Sequence, residues 1–153
     1  MKNLFVLIIF IASAVFISCN SDDDNDVNET RIIGKWEFFE TALQLADEEF
    51  LPYYEVFGHI ECGKDFIIFN SDNSAQNVLF KKGNSNNCYA DESNFQYTIS
   101  VENVELIYEE ITISVKIEFL TNDLLKIIFL EPVLFETSEN NPVIVDGFIL
   151  KRV

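Results

Sequence analysis

The sequence has little of what most enzymes and nucleic-acid-binding proteins rely on. It carries a single histidine, His59, three cysteines and ten Lys and Arg against 26 Asp and Glu, for a net charge of −16 over 153 residues. With one histidine, acid–base catalysis would rest on His59 or on shifted carboxylates. No Gly-x-Ser-x-Gly, His-Glu-x-x-His or glycine-rich phosphate cradle is present to supply other machinery. The adjacent pairs Glu48-Glu49 and Glu109-Glu110 read as solvated faces or loops, because neighbours on a strand point to opposite sides. Catalysis is therefore the least supported class, with no catalytic residue and no cofactor implied. No metal site is expected either, since His59 stands alone and the cysteines lack further ligands nearby. The shortage of positive charge argues against nucleic acid and anionic lipid surfaces, whose phosphates would repel the chain. Long apolar runs are also scarce. The one at residues 4–17 falls short of the roughly 20 residues a helix needs to cross a bilayer.

That run follows a single positive charge at Lys2 and ends in Phe16-Ile17-Ser18-Cys19, the pattern of a secretory signal that is removed. A cysteine at this point, preceded by a small residue, resembles the lipobox of bacterial lipoproteins. The resemblance implies cleavage after residue 18, diacylglycerol on the Cys19 sulfur and palmitate-type acylation. Only a thiolate is nucleophilic enough to take an alkyl group near neutral pH. Several acyl chains hold a protein to a membrane much more firmly than one.

Loss of residues 1–18 removes Lys2 alone and takes the net charge from −16 to −17. Residues 20–30 carry five acids and one apolar side chain, too little to pack, so residues 19–30 read as a lipidated cysteine with a flexible tether. Twelve residues reach about 40 Å when extended and about 20 Å as a coil. Ser21-Asp22-Asp23-Asp24 resembles the export signal of Bacteroidota surface lipoproteins, which implies an outer-membrane location extending to the cell surface. Asp22, Asp24 and Asp26 lack the Gly turn and distal Glu of a calcium loop. Asn28-Glu29-Thr30 fits the glycosylation pattern and, in a bacterial lipoprotein, reads as coincidence.

With Cys19 taken by lipid, Cys62 and Cys88 remain. In an exported chain these read as one disulfide. Closing that loop is worth about 3 kcal/mol in the chain-entropy model.

Residues 31–153 are enough for one domain with a core. The periodicity is that of strands: Phe95, Tyr97, Ile99 and Val101 alternate with polar residues, as do Ile111, Ile113, Val115, Ile117 and Phe119. Further strands are expected over residues 35–43, 65–70, 77–81, 104–108, 124–130 and 144–151, separated by turn-like Asn, Asp, Ser and Gly clusters. Eight short strands with hairpin-length links predict an all-β domain, an up-and-down antiparallel barrel or a sandwich. Residues 43–59 fit less well. They are expected to form a long first connection over one end, with a helical turn at Leu43, Leu45 and Ala46 that Pro52 interrupts.

Ile33-Gly34-Lys35-Trp36 near the start, Cys62, residues 66–72, Cys88 and Arg152 in the last strand together resemble the small lipocalin-like domains of Bacteroidota lipoproteins, over residues 32–153. The resemblance implies a single up-and-down β-barrel of about eight strands. It makes Gly34, Trp36 and Arg152 the keystone, with Arg152 lying over the Trp36 ring, a contact worth about 0.5–2 kcal/mol. Twelve Phe, five Tyr and one Trp remain beyond residue 18, so a filled interior or only a shallow pocket is at least as expected as an open calyx. Tyr53, Tyr54 and Phe57 in the long connection are the candidate ligand contacts. Two functions compete: a barrel mouth that takes a small apolar or amphipathic ligand, and a packed acidic module that binds a basic protein partner or serves as an accessory subunit of a surface complex.

Overall fold

The computed structural model describes residues 29–44, 50–57, 60–83, 85–101, 103–137 and 141–153. The apolar leader, Cys19, the tether up to residue 28, Glu48-Glu49 and His59 lie outside the described residues. A short helix α1 (Glu29–Ile32) leads into β1 (Gly34–Leu43), followed by β2 (Phe50–Pro52), helix α2 (Tyr53–Phe57), β3 (Phe66–Phe69), β4 (Ser74–Lys82) and β5 (Cys88–Ser100). The chain continues through β6 (Asn103–Tyr108), β7 (Ile111–Leu120), β8 (Leu124–Glu136) and β9 (Pro142–Arg152). Every neighbouring pair is antiparallel, and β9 returns to β1, with Trp36 opposite Arg152 and Phe38 opposite Leu150. Eight strands, β1 and β3 to β9, thus close into a barrel. The three-residue β2 lies beside residues 40–42 of β1, beyond the point where β3 has ended.

Alternation in the sequence decides which side chains point inward. Val115 and Ile117 on β7, Leu125, Ile127 and Phe129 on β8, and Val104 and Leu106 on β6 are buried on one face, while Lys116, Lys126 and Glu105 between them remain on the other. Closure removes both sheet edges along the paired length. The interior is filled at one end by Trp36, Leu125 and Leu150, all with 0% exposure.

That end is sealed by polar contacts. The Arg152 guanidinium carbon lies 4.1 Å from the centre of the Trp36 ring. Its nitrogens donate to the Asn122 carbonyl at 2.7 Å, to the Ile33 carbonyl at 2.8 Å and to the Arg31 carbonyl. Trp36 Nε1 donates to the Ile32 carbonyl at 2.7 Å, and Arg31 donates to the Leu120 carbonyl at 2.8 Å. Together α1, the turn between β7 and β8 and the last strand are tied across the barrel floor. The glycine is needed here. Gly34 has φ +135°, and a Cβ at this position would stand 2.7 Å from Arg152 Nη1; any other residue would be strained and would push the guanidinium aside.

The opposite end is built differently. Strand β5 runs eight residues past its pairing with β6, so residues 88–95 pair only with β4. Strand β8 likewise continues beyond β7, and residues 133–136 pair only with β9. The β6–β7 turn at residues 109–110 is lower than either arm. Both extensions exceed the expected strands 95–101 and 124–130. Residues 88–94 are exposed on both faces, so they show no alternation to read, and Pro132 falls in the irregular stretch between Ile128 and Val133 where the ladder needs no N–H from it. Val101 lies in a turn with φ 55°, outside the strand assigned to it from alternation. Leu43 ends β1, and Leu45 and Ala46 of the helical turn considered there lie outside the described residues; a separate helix, α2, follows Pro52 directly, where the fixed φ of proline is tolerated.

Replacing Arg152 by Ala is expected to lower stability by about 2 kcal/mol, since two part-buried carbonyls lose a charged donor and the indole loses its cation. Gly34→Ala should act in the same direction. Denaturant unfolding followed by Trp36 fluorescence checks both; unchanged emission and midpoint in Arg152→Ala would show that the contact does not hold the floor.

Candidate functional site

The open end contains a cleft of about 470 Å³. Its floor is aromatic: Phe38 from β1, Phe148 from β9, Phe135 from β8, and Tyr53 and Phe57 from α2. Phe148 is central, with ring centres 5.0 Å from Phe38, 5.6 Å from Phe135 and 6.3 Å from Phe57. Tyr53 stacks on Phe38 at 5.0 Å and lies 4.8 Å from Phe57. Such contacts add roughly 0.5–1.5 kcal/mol each beyond burial. The side wall is formed by Asn77 and Leu79–Lys82 of β4, Gly83 and Tyr89 of β5, and the lip by Glu136 and Thr137. No described residue of β6 or β7 reaches it, consistent with the low turn on that side.

Asp65 organises the wall. It is 5% exposed, and its two oxygens accept from different elements: Oδ1 from the Phe80 N–H at 2.6 Å and Oδ2 from the Tyr53 hydroxyl at 2.9 Å. Its own N–H donates to the Tyr54 hydroxyl oxygen at 2.7 Å, while its carbonyl accepts from the Phe38 N–H at 3.1 Å. One residue thereby joins β1, α2 and β4. Burial, the Asp65 charge and the hydrogen bond to it push the Tyr53 phenol well above its ordinary range. Tyr54 is raised as well, by burial and then by the Asp65 charge, against a smaller opposing effect of the Asp65 N–H. On the far side of the interior, burial pushes Tyr108 up to about 12.

Of the residues expected from the sequence, Tyr53 and Phe57 line the cleft; Tyr54 does not. Its ring is edge-on to Tyr53 at 5.1 Å and its hydroxyl holds the Asp65 backbone, so it positions the wall. Cys62 and Cys88 are joined by a disulfide that ties the segment before Asp65 to the first residue of β5. Gly34, Trp36 and Arg152 meet at the sealed end, away from the cleft. Phe38, Asp65, Asn77, Phe135 and Phe148 were not singled out in the sequence. Four of them sit in ordinary strand patterns, and only Asp65, an acid directly ahead of the apolar run 66–69, offered a signal. Among the described residues no group of three or more His, Cys, Asp and Glu could hold a metal ion.

The Lipocalin-like domain family profile matches residues 32–127, well over half of the chain. The chain belongs to the lipocalin-like domain family. The matched span takes in Gly34 and Trp36 of the sealed end and the cleft's β1, α2, β3 and β4 walls; β9, with Phe148 and Arg152, lies beyond it. A solved structure of bovine odorant-binding protein, a deswapped triple mutant, is 9% identical and covers 80% of this chain and 74% of its own, at a TM-score of 0.43. No curated protein matches the sequence.

The raised tyrosines give this lipocalin-like barrel a defined alkaline limit. A phenol whose folded pKa lies above the ordinary value near 10 stabilises the fold fully below that pH. The unfolded chain then releases protons that the folded chain keeps, so stability falls as pH rises from about 10 through 12, by on the order of 2 kcal/mol for a two-unit shift. Thermal unfolding and ultraviolet phenol titration across this window check the expectation. Tyr53→Phe should remove part of the slope.

Proposed function

We propose that the protein is an exported lipoprotein that holds a small apolar or amphipathic molecule in the cleft at the open end of its barrel. The observation that carries this is the cleft itself: about 470 Å³ falls within the roughly 300–1,000 Å³ range of small-ligand sites. The floor is aromatic and a few polar groups converge on it, while the other end of the barrel is sealed. Small-molecule binding is common among lipocalin-like barrels, and nothing in the cleft forms a nucleophile–base pair, so binding without catalysis is the function assigned.

Anchoring is the second part of the proposal. Cys19 would carry the lipid, with the acidic tether holding the barrel off the outer membrane; the residues that support it are the apolar leader, Ser18-Cys19 and the acidic run behind them. Replacing Cys19 with Ser should abolish lipid labelling and release the protein from membranes, and persistent labelling would refute the assignment.

Filling the cleft tests binding. Leu79→Trp places a large ring in the wall and is expected to weaken uptake of hydrophobic ligands at least tenfold while leaving the melting temperature within a few degrees. Native mass spectrometry after gentle purification and calorimetric titration supply the measurement. A protein that is always empty, and whose stability ignores added apolar and amphipathic compounds, would leave the acidic partner-binding module as the better reading.

A further inference from the structure

The polar groups of the cleft are unevenly placed. Its deep wall offers hydrogen-bond acceptors. Asp65 is there with its carboxylate, and Asn77 on β4 lines the same cleft with an Oδ1 that is buried and lacks any donor, the one such side-chain atom among the described residues. The register sets them side by side. Ile67 pairs with Asn77 and Phe66 with Val78, so Asp65, two residues before Ile67, is the diagonal neighbour of Asn77 on one face, at about 7–8 Å. A buried acceptor without a donor carries a penalty of about ten- to a hundredfold in an equilibrium constant. It is relieved only by a donor from outside the chain, since none within it reaches this atom. The terminal torsion of an asparagine is broad, so the amide can turn Oδ1 from the wall into the cleft.

The basic residues of the lining are placed otherwise. Lys81 and Lys82 stand at the rim, and each already faces a carboxylate: Lys81 meets Asp91 at 2.5 Å and Lys82 meets Glu61 at 3.1 Å. Glu136 adds a further acid at the lip. An anionic head group entering the cleft would therefore find lysines that are already paired and, deeper in, the charge of Asp65. A cationic head group finds acceptors at depth and is attracted by a chain of net charge −16.

We infer that the cleft selects an amphipathic ligand whose head group is a hydrogen-bond donor, a primary ammonium above all, received by Asn77 and Asp65, with the apolar tail on the aromatic floor. An ammonium has three N–H donors and no acceptor, which suits a wall whose acceptors are diagonal neighbours on adjacent strands. The inference rests on the cleft being a small-molecule site, and it names the chemical class that this site takes.

Three probes with one tail decide the matter: octylammonium, octanol and octanoate, titrated calorimetrically into the purified protein. The titrations are run in about 1 M salt, where the Debye length is about 3 Å and the general pull of the acidic chain is screened. Octylammonium is expected to bind at least tenfold more tightly than octanoate, with octanol between them. Asn77→Leu removes the orphaned acceptor at little cost to folding, so its melting temperature should hold or rise, while the preference narrows to about threefold. Octanoate binding as tightly as octylammonium, or a preference unchanged in Asn77→Leu, would overturn the head-group assignment and leave the cleft standing as a site. If none of the three probes bound, the small-ligand reading itself would fall, and this inference with it.

Discussion

The structure depends on the return of β9 to β1. Until those strands pair, the sheet has two free edges and the inward faces of eight strands have nothing to enclose. Arg152 fixes that closure at its most demanding point, where the pairing begins opposite Trp36. Its guanidinium caps the indole and collects carbonyls from α1 and the β7–β8 turn. The positive charge is thereby spread over acceptors that would otherwise lack donors at a packed barrel floor. Arginine suits this better than lysine because its planar fork donates in several fixed directions while stacking on a ring. Gly34 follows from the same contact, since a side chain there would occupy the space of the guanidinium.

Sealing one end determines where anything else can enter. The two arms, β4–β5 and β8–β9, rise above a low β6–β7 turn, and α2 lies across the top of β1, so the cleft has high walls on three sides and a lower one on the fourth. The connection that carries α2 is held down at several points: the Asp65 backbone and side chain bind α2, β1 and β4, and the disulfide to Cys88 fixes the segment just before it. A loop of 26 residues closed by that bond removes unfolded-state freedom worth about 3 kcal/mol. It also keeps the Asp65 wall against β5. The cleft is thus built into the fold and does not depend on packing alone.

Much of the architecture could be read from the chain because alternation is strongest where one face is buried. The strands at 111–119 and 144–151 were legible for that reason, and so was the closure, through Gly34, Trp36 and Arg152. The arms were not, because residues 88–94 are wet on both faces and the end of β8 passes through Pro132 with an irregular register. The site was half legible. Tyr53 and Phe57 stood out as aromatics in a loop too long to be a simple hairpin. Phe38, Phe135 and Phe148 carry the floor but look in sequence like any core phenylalanine, since distance along the chain says nothing about which rings converge. Asn77 could not be found at all before the register placed it, because an unsatisfied atom is a property of its surroundings.

The number of aromatic residues pointed to a filled interior or a shallow pocket at least as much as to an open calyx, and the fold divides these residues between two tasks. Across the interior Phe69, Phe95, Tyr97 and Tyr108 form one cluster, with Phe69 and Tyr97 edge-on at 5.0 Å and Phe95 stacked on Tyr108 at 4.4 Å. These fill the barrel. Around Phe148 a second cluster forms a surface, because the arms that surround it extend past the strands that would have covered it. A floor of rings in mutual contact is rigid, so a ligand settling on it orders few side chains and loses little entropy in doing so. Large residues in a small barrel therefore do not exclude a cleft; they confine it to the mouth, where the one buried side-chain acceptor without a donor among the described residues, Asn77 Oδ1, also lies.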